Sequence, residues 1–141
     1  MKKLNSSMQL TRAADYAIRV MTQLAASKTE ERISLPELAR ATGAPESFLS
    51  KVLQTLTRAG LIVSRRGQAG GFRLTPRGGK ATMREVVEAI DGEILLNICL
   101  FSGRSCPRKT RCTAHPVWVK AQEAMLKVLS GAKISTLAAK R

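Results

Sequence analysis

Acidic residues, aromatics and histidine are all scarce in this chain. Only 10 Asp and Glu stand against 24 Lys and Arg in 141 residues, leaving a formal net charge of +14. So few acids exclude an acidic, self-solvating tail and point to a polyanionic partner, usually nucleic acid. Aromatics make up 4% of the chain, so a core must be built from Leu, Ile, Val, Ala and Met; at 44% hydrophobic residues there is enough for one compact domain. No run approaches the roughly 18 apolar residues of a membrane span, which argues against a membrane partner. Lys2 and Lys3 are followed by no apolar stretch of a signal peptide, so the chain reads as cytoplasmic. With a single histidine there is no nucleophile–base pair. Glu85, Glu88, Asp91 and Glu93 read as helix and turn acids, so neither an enzyme nor a small-molecule substrate is expected.

What is present begins with helical periodicity. Residues 11–27 carry Ala13, Ala17, Val20, Met21, Leu24 and Ala25 on one stripe, with Thr11 as the N-cap. After a polar loop at 28–32, Ser34 and Glu37 form a capping box around Pro36, opening a short helix that ends at Thr42-Gly43. Ala44-Pro45 starts a third helix, running to Ala59. Phe48, Leu49, Val52, Leu53 and Leu56 form its apolar stripe, and Glu46, Ser47, Ser50, Lys51, Gln54, Thr55 and Arg58 the polar face. Two short helices joined by a glycine turn have the shape of a helix-turn-helix, equally open at this point to an amphipathic pair with a solvated face.

The following stretch favours the DNA reading. Residues 61–64 and 72–74 read as strands around the glycine-rich turn 65–71, forming a hairpin behind the second helix, that is, a wing. Arg65 and Arg66 stand at its tip, where arginine can enter a minor groove or grip phosphate. Residues 75–80 read as a basic turn. Thr82 and Glu85 form a second capping box, opening a helix with Val86, Val87 and Ile90 that stops at Asp91-Gly92. Pro116 suits the first residue of a last helix carrying Val117, Trp118, Ala121, Ala124, Met125, Val128 and Leu129, to Gly131. So much apolar surface far from the helix-turn-helix calls for a partner, and a second copy of the chain is the economical one. The expected fold class is mainly α with a small β-hairpin, a winged helix-turn-helix plus a long C-terminal dimerisation helix. Its parts are a flexible leader at 1–7, a winged helix-turn-helix DNA-binding domain at 8–92, a cluster-binding loop at 93–115 that holds the cysteines, the dimerisation helix at 116–131 and a loose basic tail at 132–141, in which Ile134 and Leu137 are able to dock.

The three cysteines and the one histidine all fall within seventeen residues, as Cys99, Cys106, Cys112 and His115, spaced C-x6-C-x5-C-x2-H. An odd cysteine count argues against a disulfide framework. Arg104, Arg108, Lys109 and Arg111 lie among them with no acid, a positive setting for thiolate ligands. Cys99, after an apolar stretch, also suits simple burial; Cys106 and Cys112, in a polar loop, do not. Three thiolates and an imidazole match zinc in number and type, although the close C-x2-C pair usual in zinc knuckles is missing. An iron–sulfur cluster accepts longer spacings, and a non-thiolate fourth ligand leaves a labile corner suited to sensing. Behind a basic winged helix the cluster is the most coherent reading. The alternative is a zinc-stabilised or cluster-free regulator responding to thiol oxidation or a protein partner.

Met8-Gln9-Leu10-Thr11, Tyr16-Ala17, Leu35-Pro36-Glu37-Leu38-Ala39, Phe48-Leu49 with Val52-Leu53, Leu61-Ile62, Arg66-Gly67 through Gly70-Gly71-Phe72, and Glu88-Ala89-Ile90-Asp91-Gly92 complete a pattern with the cysteine triad. On these segments, which span almost all of residues 8–130, the chain resembles the Rrf-two-type family of bacterial transcription regulators, the IscR/NsrR group. The resemblance implies a homodimeric winged helix-turn-helix regulator of double-stranded promoter or operator DNA. In each subunit Cys99, Cys106 and Cys112 would ligate an iron–sulfur cluster reporting redox state, nitric oxide or cluster supply. IscR-like members place a histidine after the third cysteine and typically carry [2Fe-2S]; His115 matches, and this form is favoured. NsrR-like members can use an acid near the N-terminus of the partner subunit and typically carry [4Fe-4S]; Asp15 falls at that position. The six-residue first gap is one longer than is common in either group. The expected DNA contacts are Ser47, Ser50, Lys51, Gln54 and Thr55 from the second helix of the motif and Arg65 and Arg66 from the wing, with Arg12 and Arg58 on phosphates.

Overall fold

A computed structural model describes residues 9–27, 30–100 and 112–139 of the chain. The expected leader at 1–7, the cations Arg104, Arg108, Lys109 and Arg111, and Cys106 lie outside the described residues.

The first helix, α1 (Arg12–Ala26), runs through the middle of the fold, with Ala14, Ala17, Val20, Met21 and Leu24 buried. Full burial of side chains such as Val20 and Met21 stabilises by about 1.5–3 kcal/mol each. Thr11 caps it by accepting from the Ala14 amide at 3.1 Å, and donates its hydroxyl to the Asp91 carboxylate. The start of α1 is thereby pinned to the C-terminal end of the helix that includes Asp91. Next come α2 (Leu35–Thr42) and α3 (Glu46–Arg58), packed on α1 and on each other. Ser34 accepts from the Glu37 amide as the capping box requires. Leu38, Leu49, Val52, Leu53 and Leu56 close the shared core.

Strands β1 (Ile62–Arg65) and β2 (Gly71–Leu74) form the antiparallel hairpin, pairing Ile62 with Leu74, Val63 with Arg73, Ser64 with Phe72 and Arg65 with Gly71. A third strand-like piece joins it. Ile33 bridges Phe72, its amide donating to the Phe72 carbonyl at 2.9 Å and its carbonyl accepting from the Phe72 amide at 2.8 Å. Gly71 permits this approach: its φ is +139°, and a Cβ there would lie 2.7 Å from the Ile33 oxygen.

Two segments differ from the sequence expectation. The basic turn at 75–80 contains a helical turn, α4 (Pro76–Gly79), because Thr75 caps it and Gly78 sits against the Leu61 carbonyl, where a Cβ would clash at 1.9 Å. The tail expected to be loose instead forms α7 (Ile134–Ala139), packed on α1 with Ile134 at 0% exposure. Its docking is backbone-led. The Met83 amide donates to the Ala132 carbonyl at 2.8 Å and the Ile134 amide to the Ala81 carbonyl at 3.0 Å, beside the start of α5 (Met83–Asp91). The Thr82 cap on that helix, accepting from the Glu85 amide at 3.2 Å, stands as expected.

Beyond α5, a single 3-10 turn (Ile98–Leu100) carries Cys99, and α6 (His115–Gly131) follows the cysteine segment. Among the described residues no helix is long and apolar enough to cross a membrane.

Candidate nucleic-acid interface and cysteine site

The polar face of α3 and the wing meet in an open groove of about 590 Å³ lined by Ser50, Gln54, Arg58, Arg65 and Arg66, with Leu53, Thr57, Ser64 and Phe72 as its floor and walls. Five of the nine side chains expected to touch DNA therefore converge on one surface. They do so because Leu49, Val52, Leu53 and Leu56 turn the opposite face of α3 into the core. Ser47 and Lys51 are exposed on the same helix outside this groove. The Thr55 hydroxyl donates to the Lys51 carbonyl at 3.1 Å, which leaves its oxygen able only to accept. Arg12, the first residue of α1, is exposed and does not line the groove.

Behind the motif, Arg19 fixes how α2 meets α1. Its guanidinium donates to the Thr42 carbonyl at 3.1 Å, pairs with Asp15 at 3.0 Å and lies 5.7 Å from the Tyr16 ring centre. Tyr16 in turn meets Phe48 of α3 edge to face at 5.6 Å. Asp15, the alternative fourth ligand, is thus engaged within its own chain.

The cysteine site is partly visible. Cys99 and Cys112 are free, half-buried thiols. His115 begins α6, its amide donating to the Cys112 carbonyl at 3.3 Å. Its Nδ1 is buried and has no hydrogen-bond partner among the described residues. A buried imidazole nitrogen without a partner is costly unless something accepts its lone pair or proton. Two free thiols and this nitrogen are donors of the type a cluster or thiophilic metal takes, so the residues present fit such a group. Among the described residues, however, no three His, Cys, Asp or Glu side chains are gathered closely enough to hold a metal ion.

Sequence reasoning missed the residue that ties this site to the helix. Gln122 is 9% exposed, the buried residue on α6. Its Nε2 donates to the Ile94 carbonyl and its Oε1 accepts from the Leu96 amide at 2.8 Å. Both ends of the cysteine segment are therefore attached to α6, at Gln122 and at His115. The only signal for this was a glutamine interrupting an otherwise apolar surface. The helix also divides its apolar residues. Met125 and Leu129 are half-buried toward α5 and the 93–96 segment, whereas Val117, at 61% exposure, and Val128, at 71%, face outward with Trp118, Ala121 and Ala124.

Known proteins match this architecture. The family model Rrf2, described as an iron-dependent transcriptional regulator, matches residues 10–140. Protein aau3 of Rhizobium meliloti is 37% identical over 131 residues, covering 92% of this chain and 84% of its own. The HTH-type transcriptional regulator NsrR of Geobacillus kaustophilus is 32% identical over 131 residues, covering 92% and 89%. Among solved structures, CymR, the global cysteine regulator of B. subtilis, superposes with a TM-score of 0.74 at 24% identity, over 94% of this chain and 98% of that one. That likeness is one of fold: a mainly helical winged helix with a two-stranded hairpin.

Proposed function

Since the chain belongs to the Rrf2 family of transcriptional regulators, we propose that it is a cytoplasmic homodimer that binds operator DNA and answers to an iron–sulfur cluster. The observation that carries the DNA reading is the groove in which Ser50, Gln54, Arg58, Arg65 and Arg66 converge between α3 and the wing. Base edges would be read by the α3 side chains and phosphates gripped by the arginines. The exposed row Val117, Ala121, Ala124 and Val128 on α6 has the spacing of a helix seam, which supports pairing with a second copy.

The cluster would be held by Cys99, Cys106 and Cys112 with His115 as fourth ligand, [2Fe-2S] being favoured. The unpartnered, buried Nδ1 of His115 supports this choice. Asp15 of the partner subunit, exposed and paired with Arg19 through one carboxylate oxygen, is the alternative fourth ligand. The cluster supplies a redox- and nitric-oxide-reactive group; the chain supplies the coupling, because both ends of its cysteine segment are fastened to α6. A second reading, a cluster-free regulator responding to thiol oxidation, is favoured by the free thiols of Cys99 and Cys112.

Anaerobic purification followed by absorption spectroscopy and iron and sulfide analysis separates the two. A coloured protein that loses its cluster in His115→Ala and keeps it in Asp15→Ala is expected. A colourless protein with stoichiometric zinc, or with none, sinks the cluster reading.

A further inference from the structure

The outer face of the wing holds a second concentration of positive charge. Alternation along the paired strands puts Ile62, Ser64, Phe72 and Leu74 toward the protein, and Val63, Arg65 and Arg73 on the opposite face. The Ile33–Phe72 bridge lays the preceding strap alongside β2 and brings Arg32 to that same outer face. Arg32 is half-buried, and its Nη1 is buried with no hydrogen-bond partner among the described residues. Burial, and then the charges of Arg73 and Arg65, push its pKa below the ordinary guanidinium value, which agrees with the strand register in placing both cations near it. The ion pairs among the described residues are Asp15–Arg19 and Arg84–Glu88, and neither touches this face.

Three guanidinium groups share this face, and although Glu31 lines a cavity with Val63 and Arg73, no ion pair among the described residues neutralises them, so they are poised for an anion. Their forked donors match the paired oxygens of a phosphodiester. Arg65 also lines the groove between α3 and the wing, so the two positive surfaces are continuous around one side chain. A duplex seated in that groove carries its backbone past the wing.

We propose that Arg32 and Arg73, with Arg65, form a phosphate-binding cradle on the outer face of the wing, which grips the DNA backbone beyond the bases read by α3. The cradle rests on the DNA-binding reading above. Its acceptor is a phosphate oxygen, so it adds affinity and salt dependence without base preference.

The test uses the full-length protein and a labelled duplex recovered by selection from a random-sequence library. Binding is followed by fluorescence anisotropy across about 50–200 mM salt for wild type, Arg32→Gln, Arg73→Gln and the double variant. Removing one arginine–phosphate pair is expected to lower the slope of log K against log salt by about 0.9, so the wild-type advantage shrinks roughly threefold to fourfold per pair over that range. Base preference is expected to stay the same, and Arg32→Lys to recover part of the slope. Thermal unfolding identifies any variant that fails to fold, and Arg73→Gln tests the cradle apart from the buried Arg32. An unchanged slope in folded variants overturns the cradle alone. Wild type that binds no selected duplex removes the DNA-binding reading and the cradle with it. Stabilisation of wild type, but not of the double variant, by inorganic phosphate, combined with an unchanged DNA slope, assigns the face to a small anion and overturns the proposal.

Discussion

Replacing Gln122 by alanine is expected to free the segment that leads into Cys99 while leaving the DNA-binding core folded. Two hydrogen bonds disappear, one to the Ile94 carbonyl and one from the Leu96 amide. Each contributes a net of about 1 kcal/mol, and each partner left unpaired in a half-buried setting adds part of a further ~1–3 kcal/mol. The segment is therefore expected to open more easily by about 2–4 kcal/mol. None of its described side chains belongs to the buried core, so the loss falls on local opening more than on global unfolding. Amide hydrogen exchange at Leu96 reads it directly, because every 1.4 kcal/mol is tenfold in the opening constant. Exchange is expected to accelerate roughly 30-fold to 700-fold, with amides in the middle of α1 unaffected. Gln122→Glu discriminates further. It keeps an acceptor for the Leu96 amide but sets a carboxylate oxygen against the Ile94 carbonyl, so Leu96 is expected to exchange at an intermediate rate. Unchanged exchange of Leu96 in Gln122→Ala would refute the clamp.

Two further outcomes follow from the same structure. Ile134→Ala removes a fully buried side chain between the tail and α1 and is expected to cost about 2–5 kcal/mol in urea unfolding; a loss below about 1 kcal/mol would mean that α7 does not dock in solution. Arg66→Ala is expected to weaken operator binding and flatten its salt dependence, and unchanged affinity across a salt titration would take the wing tip out of the interface.

Local patterns announced much of this molecule. Thr11, Ser34 and Thr82 each cap the helix that their sequence context marked, because a cap needs only the side-chain oxygen and amides two or three residues on. Leu49, Val52, Leu53 and Leu56 of the α3 stripe point into the core while Phe48 stays exposed against Tyr16, which leaves Ser50, Gln54 and Arg58 facing out, as a period of 3.6 residues dictates. The hairpin, the exposed arginines on it and the concentration of cysteine and histidine were equally legible, each lying within a few neighbouring residues.

Meetings between distant segments were not legible. Nothing near Arg32 in the chain marks it as a neighbour of Arg73; the Ile33–Phe72 bridge decides that, across some forty residues. Gln122 reads as a polar interruption of an apolar helix until Ile94 and Leu96 are found at its two ends. Ile134 and Leu137 showed that the tail was able to dock, but the backbone bonds from Met83 and to Ala81 settled where. The sequence alone determined the elements other than α4 and α7, the caps at Thr11, Ser34 and Thr82 and the sign of the surface charge, because these depend on residues a turn or a strand apart. Tertiary structure decided which charges share a face and what anchors the cysteine segment, because those depend on which distant backbones meet.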